Sequence, residues 1–147
     1  MNKEELIQDP KRFEQFWDLM TVSFPKIERR EREDVMSQLK LEHFALRAKF
    51  NQSSELEYII TYWELKEFIF IEHFALSHLK RGKGIGSFVL STFIEKKKHP
   101  IVLEVEPPTN TMARRRIRFY ERLGFTLFTG IINNPLIEKA MIFSICF

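Results

Sequence analysis

The period of the apolar positions changes several times along the chain, and each change marks an element. After a short apolar start at Leu6 and Ile7, Asp9-Pro10 signals a helix start, with Pro10 in the first turn. Phe13, Phe16, Trp17 and Met20 then recur at helical spacing, and the helix should end before Pro25. The segment ERREREDVMSQLK reads as a second, heavily charged helix with Val35, Met36 and Leu39 on its apolar face. From Glu42 the period becomes two. Phe44, Leu46, Ala48 and Phe50 alternate with His43, Arg47 and Lys49, the pattern of a half-buried strand. NQSS is a turn, and LEYIITYWEL and FIFIEHFALS are the next two strands, antiparallel in succession. The last is the most continuously apolar and so is placed centrally.

Beyond it, Ile85, Val89 and Phe93 mark one face of a helix that His99-Pro100 stops. IVLEVE is a short strand bounded by Pro107-Pro108. TNTMARRRIRFYERLG is a helix capped by Thr109, Asn110 or Thr111, with Gly124 as its left-handed C-terminal residue. FTLFTGI and KAMIFSICF are two final strands around the loop NNPLIE. The order α-α-β-β-β-α-β-α-β-β is a mixed α/β fold with antiparallel strands first, one βαβ crossover and a C-terminal strand hairpin. No linker-like stretch divides it, so one domain over residues 1–147 is expected.

Composition adds modest constraints. Fifteen Phe among 147 residues imply a core built largely on aromatics. A net charge of +3 suits a polyanionic ligand but is too weak to argue for nucleic acid. The single cysteine, Cys146, sits in apolar surroundings and reads as a buried structural thiol. The four histidines show no ligand spacing, so no metal is expected. The polar N-terminus and the lack of a long apolar run point to a cytoplasmic, soluble protein without a membrane anchor.

The segment RGKGIGS joins a central strand to a helix, where backbone N–H groups and the helix dipole collect phosphate. Gly82, Gly84 and Gly86 let an anion approach the backbone, and Arg81 and Lys83 add charge. A glycine-rich connector with solvated basic residues is the simplest alternative. The P-loop pattern is absent. A dinucleotide fingerprint is closer, with Glu104 near the place of a ribose-binding acid. Four residues, His78 to Arg81, nevertheless separate the strand from the first glycine.

A third pattern fits better. Arg81-x-x-Gly84-x-Gly86 matches the Q/R-x-x-G-x-G/A signature, and FALSHLKRGKGIGS resembles the strand-loop-helix written L-A-V-x-P-x-x-R-G-x-G-I-G, with Leu76 for Val and His78 for Pro. Downstream, FYERLGF (Phe119–Phe125) resembles F-Y-x-x-x-G-F. Together they resemble the GCN5-related N-acetyltransferases (GNAT), which use acetyl-CoA, over about Phe68 to Phe125.

The resemblance implies that backbone N–H groups of Arg81, Gly82, Lys83, Gly84, Ile85, Gly86 and Ser87 hold the CoA pyrophosphate. It implies that the backbone of Phe74 and Leu76, on a strand end splayed from its parallel neighbour, pairs with the pantetheine arm. Tyr120 matches the tyrosine that protonates the departing thiolate; its alternative is a buried aromatic sharing a face with Ala113 and Ile117. Two departures, Ala113 for a frequent Asn and Arg116 for a frequent Ala, put one cofactor contact in doubt. The arginines of ARRRIR could meet CoA phosphates or form a solvated face.

For the base, Glu72 shares a strand face with Phe74 and Leu76, and its apolar neighbours would partly desolvate it. Glu104 and Glu106, placed on one face of their strand, are rivals or substrate-binding acids, with a water relay as the other possibility. The pentad EHFAL occurs at Glu42–Leu46 and again at Glu72–Leu76, but only the second copy runs into the glycine loop. Context, not repetition, singles out Glu72. The expected function is transfer of an acetyl group from acetyl-CoA to a primary, cationic amine by direct attack; the alternative is a non-catalytic CoA- or nucleotide-binding module. The Phe- and Ile-rich C-terminal hairpin could serve a homodimer edge.

Overall fold

Local chemistry sets the first helices. Asn2 and Glu5 cap one another, each side chain accepting the other's backbone N–H at 2.9 Å, and start α1 (Lys3–Ile7). The Asp9 side chain accepts the Arg12 N–H at 3.1 Å, and Pro10 fills the first position of α2 (Pro10–Ser23). The computed structural model describes residues 1–128 and the backbone of residues 140–144. The chain divides into two compact units, one of Met1–Glu64 with Glu72–Lys83, the other of Leu65–Ile71 with Gly84 onward.

In the first unit α1 and α2 are followed by a single 3-10 turn (Lys26–Glu28) and α3 (Arg32–Gln38). β1 (Phe44–Phe50) pairs antiparallel with β2 (Leu56–Glu64) from Phe44↔Trp63 to Phe50↔Leu56, with an irregularity at Lys49/Phe50. β3 (Ile69–Leu76) follows β2 in the strand order and contributes Glu72–Leu76 to this unit. The core packs Leu6, Phe13, Phe16, Met20 and Leu39 of the helices and their flanks with Phe44, Leu46 and Ile59 of the strands. Phe16 and Phe44 are among its largest fully buried side chains, but Leu and Ile outnumber aromatics among the buried residues, so the core is not the largely aromatic one expected from composition.

In the second unit Ile69–Ile71 of β3 pair in parallel with β4 (Ile101–Val105), from Ile69↔Ile101 to Ile71↔Leu103. The connection between them carries α4 (Ile85–Glu95), so the expected βαβ crossover is there. α4 buries Val89, Leu90 and Phe93, and stops before His99-Pro100. Asn110 caps α5 (Thr111–Arg122) through the Ala113 N–H at 2.8 Å, and Gly124 ends it at φ +89°. β5 (Phe125–Phe128) and β6 (Ala140–Ser144) are antiparallel, and β6 also runs antiparallel beside β4.

Three further expectations need correction. α1 is a helix where only an apolar start was read, because its capping box and the burial of Leu6 support so short a segment. The charged second helix does not begin at Glu28. Tertiary contacts hold its first residues out of the helix: Arg29 lies over the Trp17 ring at 5.2 Å, and the Glu28 carbonyl meets His73. Glu106 lies just past the end of β4 and not on it. Cys146, the NNPLIE loop and most of the hairpin suggested as a dimer edge lie outside the described residues. No helix among the described residues is long and apolar enough to cross a membrane.

Candidate active site

The glycine loop leaves β3 through a 3-10 turn at His78–Lys80. Gly82 (φ +74°) and Gly84 (φ +72°) are left-handed, a backbone state that L side chains rarely adopt. Gly84 is the N-cap of α4 and no side chain caps the helix. The first helical hydrogen bond runs from the Phe88 N–H to the Gly84 carbonyl. The N–H groups of Ile85, Gly86 and Ser87 therefore precede the ladder and are available to an anion. Arg81 is tied back: its Nε donates to the Leu76 carbonyl at 3.2 Å and its guanidinium lies 3.4 Å from the Ser23 hydroxyl. Lys83 is exposed.

Glu72, Phe74 and Leu76 share the half-buried face of β3, as alternation required. The Glu72 carboxylate is held from three sides. Oε2 accepts from Gln38 Nε2 at 2.8 Å and from Trp63 Nε1 at 3.2 Å. Oε1 lies 3.7 Å from the Arg30 guanidinium, a loose pair that leaves this oxygen free to accept from something else. Sequence reasoning missed all three partners. Gln38 carried a signal, since it falls on the buried face of α3 beside Val35.

His73 points to the opposite face and is buried. Nε2 lies 3.2 Å from the Glu28 carbonyl, which can only accept, so Nε2 carries the proton. In the neutral ring Nδ1 then accepts from the Thr61 hydroxyl, 3.1 Å away. Burial pushes the pKa of His73 below the ordinary histidine value, partly offset by the Glu28 carbonyl. The unfolded chain then binds the proton more readily, and stability should fall as pH drops below about 6.5 toward the folded pKa. Chemical denaturation between pH 7.5 and pH 5 checks this, and His73→Gln should flatten the slope.

Tyr120 lies on α5 with its half-buried ring edge-on to Phe119 and Phe125, centroids 5.2 and 5.5 Å away. Burial pushes its hydroxyl up to about 12, with Arg116 acting weakly the other way. Of the two rival acids, Glu104 is exposed on β4 and Glu106 pairs with Arg116 at 3.6 Å. Arg114, Arg115, Arg116 and Arg118 are exposed, which suits either a solvated face or contact with CoA phosphates. No cluster of metal-ligating side chains occurs among the described residues.

The family model described as the acetyltransferase (GNAT) family matches residues 13–125. The chain belongs to that family. A GNAT protein of Bacteroides thetaiotaomicron with a proposed acetyltransferase activity is 32% identical, with a TM-score of 0.83 over 93% of this chain and 82% of its own. YjbC of Bacillus subtilis (strain 168), also a proposed acetyltransferase, is 33% identical over 78 residues, which span 52% of this chain but only 40% of that protein. An aminoglycoside 6′-N-acetyltransferase solved with coenzyme A shares the fold at 16% identity, with a TM-score of 0.64 over 92% of this chain and 90% of its own. The GNAT assignment agrees with the mixed α/β order and the single βαβ crossover around the glycine loop.

Proposed function

We propose that this GNAT chain transfers the acetyl group of acetyl-CoA to a primary amine by direct attack within a ternary complex. The observation that carries the reading is the loop from Arg81 to Ser87, where two left-handed glycines lead into an uncapped helix start. Such a start holds a pyrophosphate through backbone N–H groups, with Lys83 adding charge. The backbone of Phe74 and Leu76 would hold the pantetheine arm, although the Leu76 carbonyl already accepts one bond from Arg81.

In the transfer, the amine nitrogen attacks the acetyl carbonyl carbon, the carbon–sulfur bond breaks, and CoA leaves as a thiol. Tyr120 gives its hydroxyl proton to the departing sulfur. The amine loses a proton to Glu72 through Oε1, the oxygen that among the described residues carries only the loose Arg30 pair. Glu104 and Glu106 are left with acceptor binding.

A melting-temperature comparison tests the cofactor assignment. Acetyl-CoA at a hundred times its Kd should raise Tm by roughly 5–10 °C, whereas NAD should give no shift. No response to acetyl-CoA or CoA sinks the reading.

A further inference from the structure

We infer that the acceptor is a zwitterion, an amine with a carboxylate a few bonds away, whose carboxylate meets Arg30 as its amine meets Glu72. The inference rests on the transfer reading above and narrows the substrate class. Glu72 Oε2 is filled by Gln38 and Trp63, so an acceptor amine can reach only Oε1. That oxygen already faces the Arg30 guanidinium at 3.7 Å. A purely cationic acceptor would bring a second positive charge against Arg30 in the same place.

An acceptor that carries its own carboxylate removes this conflict. The guanidinium can turn from Glu72 to the incoming anion, which its planar fork grips with two hydrogen bonds. Turning costs little. The Arg30 side chain is 52% exposed and its pair with Glu72 is loose, so the existing contact is weak and exchangeable. The same segment holds a second guanidinium, Arg29, stacked on Trp17, and its Nε is buried with no hydrogen-bond partner among the described residues. This stretch of chain thus holds more positive hydrogen-bonding capacity than its own acids use.

The test measures release of free CoA thiol with the standard amino acids, each against the amine left by its decarboxylation. The amino acids should be preferred by about tenfold or more in kcat/KM, because the analogue leaves Arg30 unpaired beside a cation. Arg30→Gln should erase the preference while KM for acetyl-CoA stays unchanged, and Arg30→Lys should retain part of it. Decarboxylated amines reacting as well as their parents overturn the inference, as does a preference that survives Arg30→Gln. Thiol release with no member of the panel, from protein whose Tm responds to acetyl-CoA, also overturns it. Absence of that Tm response overturns the transfer reading itself.

Discussion

Tyr120→Phe should lower kcat by about a hundredfold or more and leave the Kd for acetyl-CoA within about twofold. The substitution deletes one hydroxyl and keeps the ring, so the edge-on contacts with Phe119 and Phe125 remain and the fold is not at issue. What disappears is the proton offered to the departing thiolate. Burial keeps the hydroxyl protonated at working pH, so a proton is there to give, although the same burial makes it a weaker acid than an ordinary tyrosine. Burial holds it protonated until about pH 12, so any loss of activity at lower alkaline pH must come from another group. Steady-state kinetics across pH 6 to 10, with acetyl-CoA binding measured separately, decide the matter. Equal kcat in the two proteins would return Tyr120 to the role of a packed aromatic.

The proposed base, Glu72, is held in place by its neighbours. Gln38 and Trp63 donate to one oxygen of Glu72 and so hold its other oxygen in a fixed direction. In the proposed mechanism both would act through Glu72, as positioning residues.

Most of the framework could be read from the chain because its signals are local. Asp9-Pro10 starts α2, alternation from Phe44 gives β1, and Asn110 with Gly124 bounds α5. The glycine loop was equally legible, since left-handed backbone before a helix needs glycine whatever surrounds it. The partners of Glu72 were not. They come from β2, from α3 and from the charged segment before it, at sequence separations of 9 and 34 residues for Trp63 and Gln38. No periodicity encodes such a meeting. The start of α3 escapes a local reading for the same reason: Arg29 and Arg30 have good helix propensity, but each side chain is engaged across the fold, with Trp17 and Glu72 respectively. The exposed Glu106 escaped its assigned strand because alternation cannot say where a five-residue strand stops.

The second large effect should come from the glycine loop, where replacing Gly82 and Gly84 together by Ala should weaken acetyl-CoA binding by roughly thirtyfold or more. Space is not the obstacle, because a Cβ built at either position meets nothing within 4 Å. The cost is conformational: holding an L residue in the left-handed region costs about 1–2 kcal/mol at each site. The loop can shed that strain by turning these residues right-handed, and the N–H groups that face the anion would then turn away. Gly124 supplies the control, since it has φ +89° and equally open surroundings but ends α5 away from the loop sequence. Gly124→Ala should therefore lower Tm and leave the Kd for acetyl-CoA unchanged, whereas the loop variant should weaken binding whatever its change in Tm. Asn at position 84 should fall between, because its side chain tolerates left-handed backbone better than alanine does. Titration calorimetry of the variants with acetyl-CoA distinguishes the outcomes. If the loop variant binds like the wild type, these glycines are a connector and the cofactor is held elsewhere.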